Sequence, residues 1–268
     1  MMDAFKAAMA KLPGFEPGQV WLAGAGPGDP GHLTLHVLAG LATADVIVHD
    51  ALVDSRVLAL ARPGATLEFA GKRGGKPSAS QANISDRLIA LAHEGHRVLR
   101  LKGGDPCVFG RGGEEALALA RAGIPFRLIP GITSGLAALT VASIPATLRG
   151  MNQALILVTG HCGGDEDSVD WGALARTGQP IVLYMGLSNI EPIAAALMAA
   201  GLDPREPVAV IASATLPDER ILISELGRVA AATRELEFEA PAIIAIGGIV
   251  RVREKLLALA GRIPEMVA

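Results

Sequence analysis

Arg97-Val98-Leu99-Arg100-Leu101-Lys102-Gly103-Gly104-Asp105-Pro106-Cys107-Val108-Phe109-Gly110-Arg111-Gly112-Gly113-Glu114-Glu115 runs from an apolar segment through a glycine-rich turn into an Ala/Leu pattern that continues to Ala122. That is a strand, a loop and a helix in sequence. Glycines let a backbone come close to a ligand, and Asp105, Arg111, Glu114 and Glu115 add charge at the same mouth. A plain turn needs fewer special residues.

The same rhythm extends in both directions. Strands are expected at Gln19 to Ala23, Val46 to His49, Thr66 to Phe69, Arg97 to Leu101 and Phe126 to Ile129, with helices at Thr34 to Ala42, Ser55 to Ala61, Ser80 to His93 and Glu114 to Ala122. Short β-branched runs alternating with helical patterns favour an α/β fold with a mainly parallel five-stranded sheet covered on both faces. After Pro130-Gly131 a small-residue helix from Ser134 to Ala142 precedes a second set of strands at Ala154 to Thr159, Ile181 to Tyr184, Pro207 to Ile211 and Ala242 to Ile246. The organisation read from this is an N-terminal extension (1–17) and two α/β domains (18–130 and 131–268), with a ligand expected in the cleft between the two sheets.

Composition narrows the function. Of 268 residues half are hydrophobic, 32 are Gly and only 3% are aromatic, and the net charge is -3, which offers neither a stacking platform nor a broad basic face for nucleic acid. The apolar runs fall short of the ~20 residues of a membrane span, and Met1 to Lys11 lacks the core of a signal peptide. A soluble, cytoplasmic protein is expected. Cys107 reads as a buried small hydrophobe and Cys162 has no second Cys/His pair, so neither a disulfide framework nor a metal site is expected.

The first glycine cluster, Gly24-Ala25-Gly26-Pro27-Gly28-Asp29-Pro30-Gly31, follows a strand but fails the dinucleotide spacing, because Asp29 occupies the third glycine position and Pro27 stiffens the turn. Walker and nucleophile-elbow sequences are also lacking. Between Gly71 and Arg111, eight basic residues (Lys72, Arg73, Lys76, Arg87, Arg97, Arg100, Lys102 and Arg111) stand against three acidic ones, a local surplus suited to a polyanion, with Arg87 and Arg97 read as solvated helix-face charge. Read alone, Asp50 after a strand is a helix cap or a base, Met185 is a gap filler, and His161 is an exposed strand-end histidine.

Val20 to Gly31, Val46 to Asp50, Gly71-Lys72-Arg73, Lys102 to Glu115, Pro130-Gly131-Ile132-Thr133, Thr159-Gly160-His161 and Tyr184-Met185-Gly186 follow the order seen in the tetrapyrrole methylases. Gly71-Lys72-Arg73 together with Gly110-Arg111-Gly112-Gly113-Glu114-Glu115 resembles the uroporphyrinogen-III C-methyltransferase branch of that superfamily. The resemblance implies two α/β domains, the second with a mixed sheet, and the active site in the cleft between them. It also implies a homodimer that moves methyl groups from two S-adenosylmethionine molecules onto C2 and C7 of uroporphyrinogen III, giving precorrin-2 for sirohaem or cobalamin routes. The alternative is another enzyme of this fold acting on a later precorrin.

Residue by residue, the resemblance implies that Pro27, Gly103, Gly104, Asp105, Val108, Thr133, Ser134, Met185 and Ala214 contact S-adenosylmethionine. It implies Asp50 as proton acceptor and Lys72 as proton donor. Arg111 is expected to contact substrate carboxylates and to assist proton removal, oriented by Glu114, with the electrostatic role the firmer one because a free guanidinium is too weak an acid for an ordinary base. Arg73, Arg149 and His161 are expected on the substrate side. Leu148 departs from the family pattern at Thr147-Leu148-Arg149, and Ser213-Ala214 is a looser match.

Overall fold

The structure is a computed structural model that describes residues 7–70, 81–161 and 169–261. Lys72 and Arg73 lie outside the described residues, as do Lys76 and Cys162. The chain forms two compact units that divide after Ser134.

The first unit holds five strands, β1 (Val20–Gly24), β2 (Val46–His49), β3 (Thr66–Phe69), β4 (Val98–Lys102) and β5 (Phe126–Ile129), in the order β3-β2-β4-β1-β5. Every pairing is parallel. The central β1 and β4 are buried along their whole length, as the apolar runs VWLAG and VLRLK require. Side chains alternate between two faces. Trp21, Ala23, Ile47, Leu99 and Leu101 pack with Val37 and Leu41 of α1 (Leu35–Thr43) and Val57 of α2 (Ser55–Leu58). Val20, Leu22, Val46, Val48 and Val98 pack with Ile84, Leu88 and Leu91 of α3 (Gln81–His93) and Ala116 and Leu119 of α4 (Gly112–Arg121). Each buried Leu, Ile or Val contributes about 1.5–3 kcal/mol.

The helices start where short polar side chains can satisfy free N–H groups. Thr34 caps α1 through the Val37 N–H, and Asp54 caps α2 through the Arg56 N–H. The helix cap near β2 is therefore Asp54. Asp50 does not fill that role.

The second unit contains α5 (Ser134–Val141, whose first residue belongs to the preceding unit), β6 (Ile156–Thr159), α6 (Trp171–Arg176), β7 (Ile181–Tyr184), α7 (Ile190–Ala199), β8 (Pro207–Ala212), β9 (Arg220–Glu225), α8 (Val229–Glu235), β10 (Ala242–Ile246) and α9 (Val250–Ala260). Its strand order is β6-β7-β10-β8-β9. β6 and β7 are parallel, while β10 runs antiparallel to β7 and β8, and β9 antiparallel to β8. β9 is missing from the strands expected from sequence. It is an edge strand whose residues are exposed or half-buried throughout, so it lacks the continuous apolar run that marks its neighbours. Among the described residues no helix is long and apolar enough to cross a membrane.

Candidate functional site

In open parallel sheets ligands gather at the carboxyl ends of the strands, because the loops there leave the core together. In the first unit this edge is made by three converging backbones. Ala25 donates to the Lys102 carbonyl at 2.7 Å, and Gly26 and Gly104 exchange hydrogen bonds of 3.1 and 2.7 Å. A Cβ at Gly24 would stand 2.4 Å from the Gly104 carbonyl oxygen and 2.7 Å from Gly131 Cα, so neither neighbour leaves room for a side chain. Gly104 also has φ +67°, which a residue with a Cβ adopts only under strain.

Two aspartates lock this junction. Asp50, just past β2, accepts from the Leu52 N–H at 2.9 Å and from the Gly103 N–H at 3.2 Å. Asp105 accepts from the Cys107 N–H at 2.8 Å and from the Gly131 N–H at 3.0 Å, tying the loop after β4 to the loop after β5. Pro27, Asp50, Gly103, Gly104, Asp105 and Thr133 all follow strands of this sheet at one edge, and a Cβ at Gly104 would come 3.0 Å from Ser134 Oγ. Val108 is half-buried in the same loop.

Beyond the turn the chain reaches Arg111, which has φ 59° at the N-cap of α4. Its Nε and Nη2 donate to the two Glu114 carboxylate oxygens at 2.9 and 2.6 Å, a bidentate fork with both side chains 55% exposed. That hydrogen bond, ahead of the attraction between the charges, raises the Arg111 pKa and lowers that of Glu114. Arg111 is thus held as a cation, and its useful chemistry is to bind and orient anionic groups.

The basic cluster is not what the charge count suggested. Arg100 and Lys102 are buried on Glu115, whose Oε1 lies 3.2 Å from Arg100 Nη2 and 3.0 Å from Lys102 Nζ. Arg97 bonds Asp45 and the Phe15 carbonyl, and so is no helix-face charge. Arg87, on α3, pairs with Glu68 at 2.6 Å. Of the described members, Arg111 is the one standing exposed at the carboxyl edge. The buried trio itself was missed by the sequence reading. Its only trace there is the alternation of Arg100 and Lys102 along a strand, followed by a glutamate in the next helix.

Cys107 also departs from expectation. It is exposed. Because its thiol pKa is raised, first by desolvation and then by the Asp105 charge, it is not primed as a thiolate.

In the second unit the strand ends again group together. Met185, directly after buried β7, is 52% exposed with φ 51°. Ser213 and Thr215, flanking Ala214, have φ 50° and 70°. Non-glycine residues in this region are strained, and such strain concentrates at functional turns. Thr159 pairs with Tyr184, and Ser213 donates to the Pro241 carbonyl just before β10, so His161, Met185 and Ala214 share one edge of this sheet. Tyr184 supports that edge by accepting the Gly135 N–H at 3.0 Å, in a space where a Cβ on Gly135 would fall 2.2 Å from the phenol oxygen. Arg149 is not brought to this group. It is exposed in the loop before β6, which is folded on Asn152, and nearby Met151 lines a small pocket with Gly247 and Gly248 past the opposite end of β10.

A model of the tetrapyrrole (corrin/porphyrin) methylases matches residues 19–230. A uroporphyrinogen-III C-methyltransferase from a Sinorhizobium species is 53% identical over 249 residues, which cover 92% of this chain and 89% of that protein. A sirohaem synthase from Hahella chejuensis is 42% identical over 241 residues, 90% of this chain but 51% of the relative, so the chain spans about half of that longer protein. Among solved structures, a uroporphyrin-III C-methyltransferase from Thermus thermophilus complexed with S-adenosylhomocysteine is 40% identical with a TM-score of 0.76, covering 87% of this chain and 99% of its own. A cobalt precorrin-4 methyltransferase is 27% identical with a TM-score of 0.79, covering 90% of this chain and 99% of its own.

Proposed function

Because the chain belongs to the tetrapyrrole methylases, we infer that it is an S-adenosylmethionine-dependent C-methyltransferase converting uroporphyrinogen III to precorrin-2 by methylation at C2 and C7. The fold alone does not choose the acceptor, since the precorrin-4 enzyme overlays as well as the uroporphyrin enzyme. Identity favours uroporphyrinogen III, at 53% and 40% against 27%.

The observation that carries the reading is the two-part loop after β4. A backbone turn in which a Cβ at Gly103 would fall 2.6 Å from Leu52 Cβ, and in which Gly104 has φ +67°, is followed by an exposed Arg111–Glu114 fork. S-adenosylmethionine fits the first part, where Gly103, Gly104 and Asp105 with Pro27, Val108, Thr133 and Ser134 offer backbone and small side chains. In the second unit Met185 and Ala214 are the contacts proposed for it. When bound, it supplies a sulfonium methyl for in-line displacement, and positioning contributes much of the rate.

The chain's own residues bind and move protons. Arg111 holds acceptor carboxylates, with Glu114 fixing the plane of its guanidinium. Methylation leaves the ring a cationic, azafulvene-like system, and Asp50 accepts the proton that this system must lose, its two oxygens already aimed by the Leu52 and Gly103 N–H groups. Lys72 is the proposed proton donor, and Arg73 and His161 are further substrate contacts. The active protein is proposed to be a cytoplasmic homodimer, and sedimentation at the mass of two chains is the check.

Anaerobic incubation with uroporphyrinogen III and isotopically labelled S-adenosylmethionine, read by mass spectrometry of the product, tests the reaction. Two transferred methyl groups are expected. No transfer by folded protein that binds S-adenosylhomocysteine would overturn the reading.

A further inference from the structure

Arg100 and Lys102 lie two residues apart on β4, on the same face as Val98, and both enter the layer beneath α3 and α4. There Glu115 is fully buried, and the side chains of Arg100 and Lys102 are only 3% and 6% exposed. Arg100 also donates to the Val48 carbonyl at 3.3 Å. One carboxylate is neutralised by one cation, and Arg100 alone suffices.

The second cation is costly to bury, because desolvation penalises charge that pairing does not cancel. Burial, and next the charge of Arg100, lowers the Lys102 pKa, while Glu115 and Asp50 pull the other way. With two cations set against one carboxylate, the three-residue group holds a surplus positive charge while Lys102 is ionised. It sits at the last residue of β4, directly before the glycine turn. Two carboxylates outside the group feel Lys102, namely Asp50 beside the turn and Glu114 in the exposed fork.

We propose that Lys102 is a specificity-determining residue whose buried surplus charge, acting through the low-dielectric protein behind the loop, draws a polyanionic acceptor to the carboxyl edge of the first sheet. Low-dielectric walls focus the field of a buried charge outward, and salt screens it far less than an exposed one. The identity of the acceptor rests on the uroporphyrinogen reading, whereas the charge effect does not.

The test compares the full-length protein with Lys102→Met and Lys102→Arg in fluorescence titrations with uroporphyrin III, which has eight carboxylates, and coproporphyrin III, which has four. Lys102→Met leaves the neutral Arg100–Glu115 pair and is expected to weaken uroporphyrin binding about fivefold and coproporphyrin binding less. That ratio to the parent should change less than about twofold between low and high salt, because the charge is buried. Lys102→Arg should keep the parent affinity. Parent-like affinity of Lys102→Met for uroporphyrin, an equal fold-loss for both ligands, or a deficit that vanishes in high salt, would overturn the proposal. So would failure of Lys102→Met to fold, since the proposal needs the neutral pair to suffice for the structure. If the parent transfers no methyl group to uroporphyrinogen III yet shows the expected ratios, the acceptor reading falls and the role of Lys102 stands.

Discussion

The two ends of β2 each carry an aspartate, and the two are used in opposite ways. At the amino end Asp45 accepts the Arg97 N–H at 2.9 Å and is pinned by Arg62 at 2.6 Å and Arg97 at 3.4 Å. At the carboxyl end Asp50 accepts the Gly103 N–H, also from the chain next to β4, and the Leu52 N–H. Among the described residues no cation hydrogen-bonds to Asp50. One carboxylate is committed to two guanidinium groups. The other is held in place by backbone donors, with its charge left for a ligand or a proton. In parallel sheets ligands bind at the carboxyl end of the strands, which is the end where Asp50 stands and Asp45 does not.

The largest effect should come from breaking this asymmetry at the carboxyl end. Asp50→Asn is expected to cut kcat by about 10²–10⁴-fold, the range for loss of a general base, and to lower stability by about 1–3 kcal/mol because its amide nitrogen cannot accept one of the two backbone N–H groups. Calorimetry and steady-state rates check it. A variant that kept its kcat would make Asp50 a structural residue like Asp45.

Glu115→Gln should come next, as a loss of stability. It leaves Arg100 and Lys102 buried without their carboxylate, which costs about 3–5 kcal/mol when one partner of a buried pair is removed. Urea denaturation measures it. The carboxyl end thus has its own structural anchor, one layer beneath the exposed chemistry.

Asp45→Asn should cost about 1.5–3 kcal/mol, the worth of hydrogen bonds to charged groups, and leave kcat per folded molecule unaltered. The sign of its pH dependence follows from its lowered pKa, caused first by the Arg97 N–H and then, against the opposing effect of burial, by the Arg97 charge and by Arg62. Because the folded value lies below the unfolded one, this stabilisation is full above the unfolded value and is lost as pH falls through the folded value. Denaturation midpoints of the parent and Asp45→Asn should therefore converge toward acid pH. A gap constant with pH would show that the carboxylate charge contributes nothing.

Much of the fold was legible because it is written in short-range pattern. The strands Val46–His49, Thr66–Phe69, Phe126–Ile129, Ile181–Tyr184 and Ala242–Ile246 fall where apolar runs stand between turn residues. Strand β9 escaped because an edge strand buries little and carries charge at both ends, Arg220 and Glu225. In the site, the glycine turn and the Arg111–Glu114 spacing were legible, since a three-residue separation at a helix start brings two side chains together. The use of the cations was not. Arg97, Arg100 and Lys102 look alike in a charge count, but one secures Asp45 and two are buried on Glu115. Only strand register and the packing of α4 separate them, and these are tertiary facts.

Arg111→Lys gives the smallest stability change and the sharpest reading of the exposed fork. Lysine keeps the charge but cannot make two parallel hydrogen bonds to Glu114. The pair is 55% exposed on both sides, so its loss should alter stability by less than about 1 kcal/mol. If the fork exists to present a flat, oriented cation to acceptor carboxylates, the KM for uroporphyrinogen III should still rise several-fold, and more at low salt than at high salt because this charge, unlike that of Lys102, is open to screening. A fall in kcat with KM unchanged would instead place the Arg111 contact in the transition state. Unchanged kinetics would remove Arg111 from both binding and catalysis, and would leave Asp50 and the buried Lys102 as the charged participants proposed at the carboxyl end.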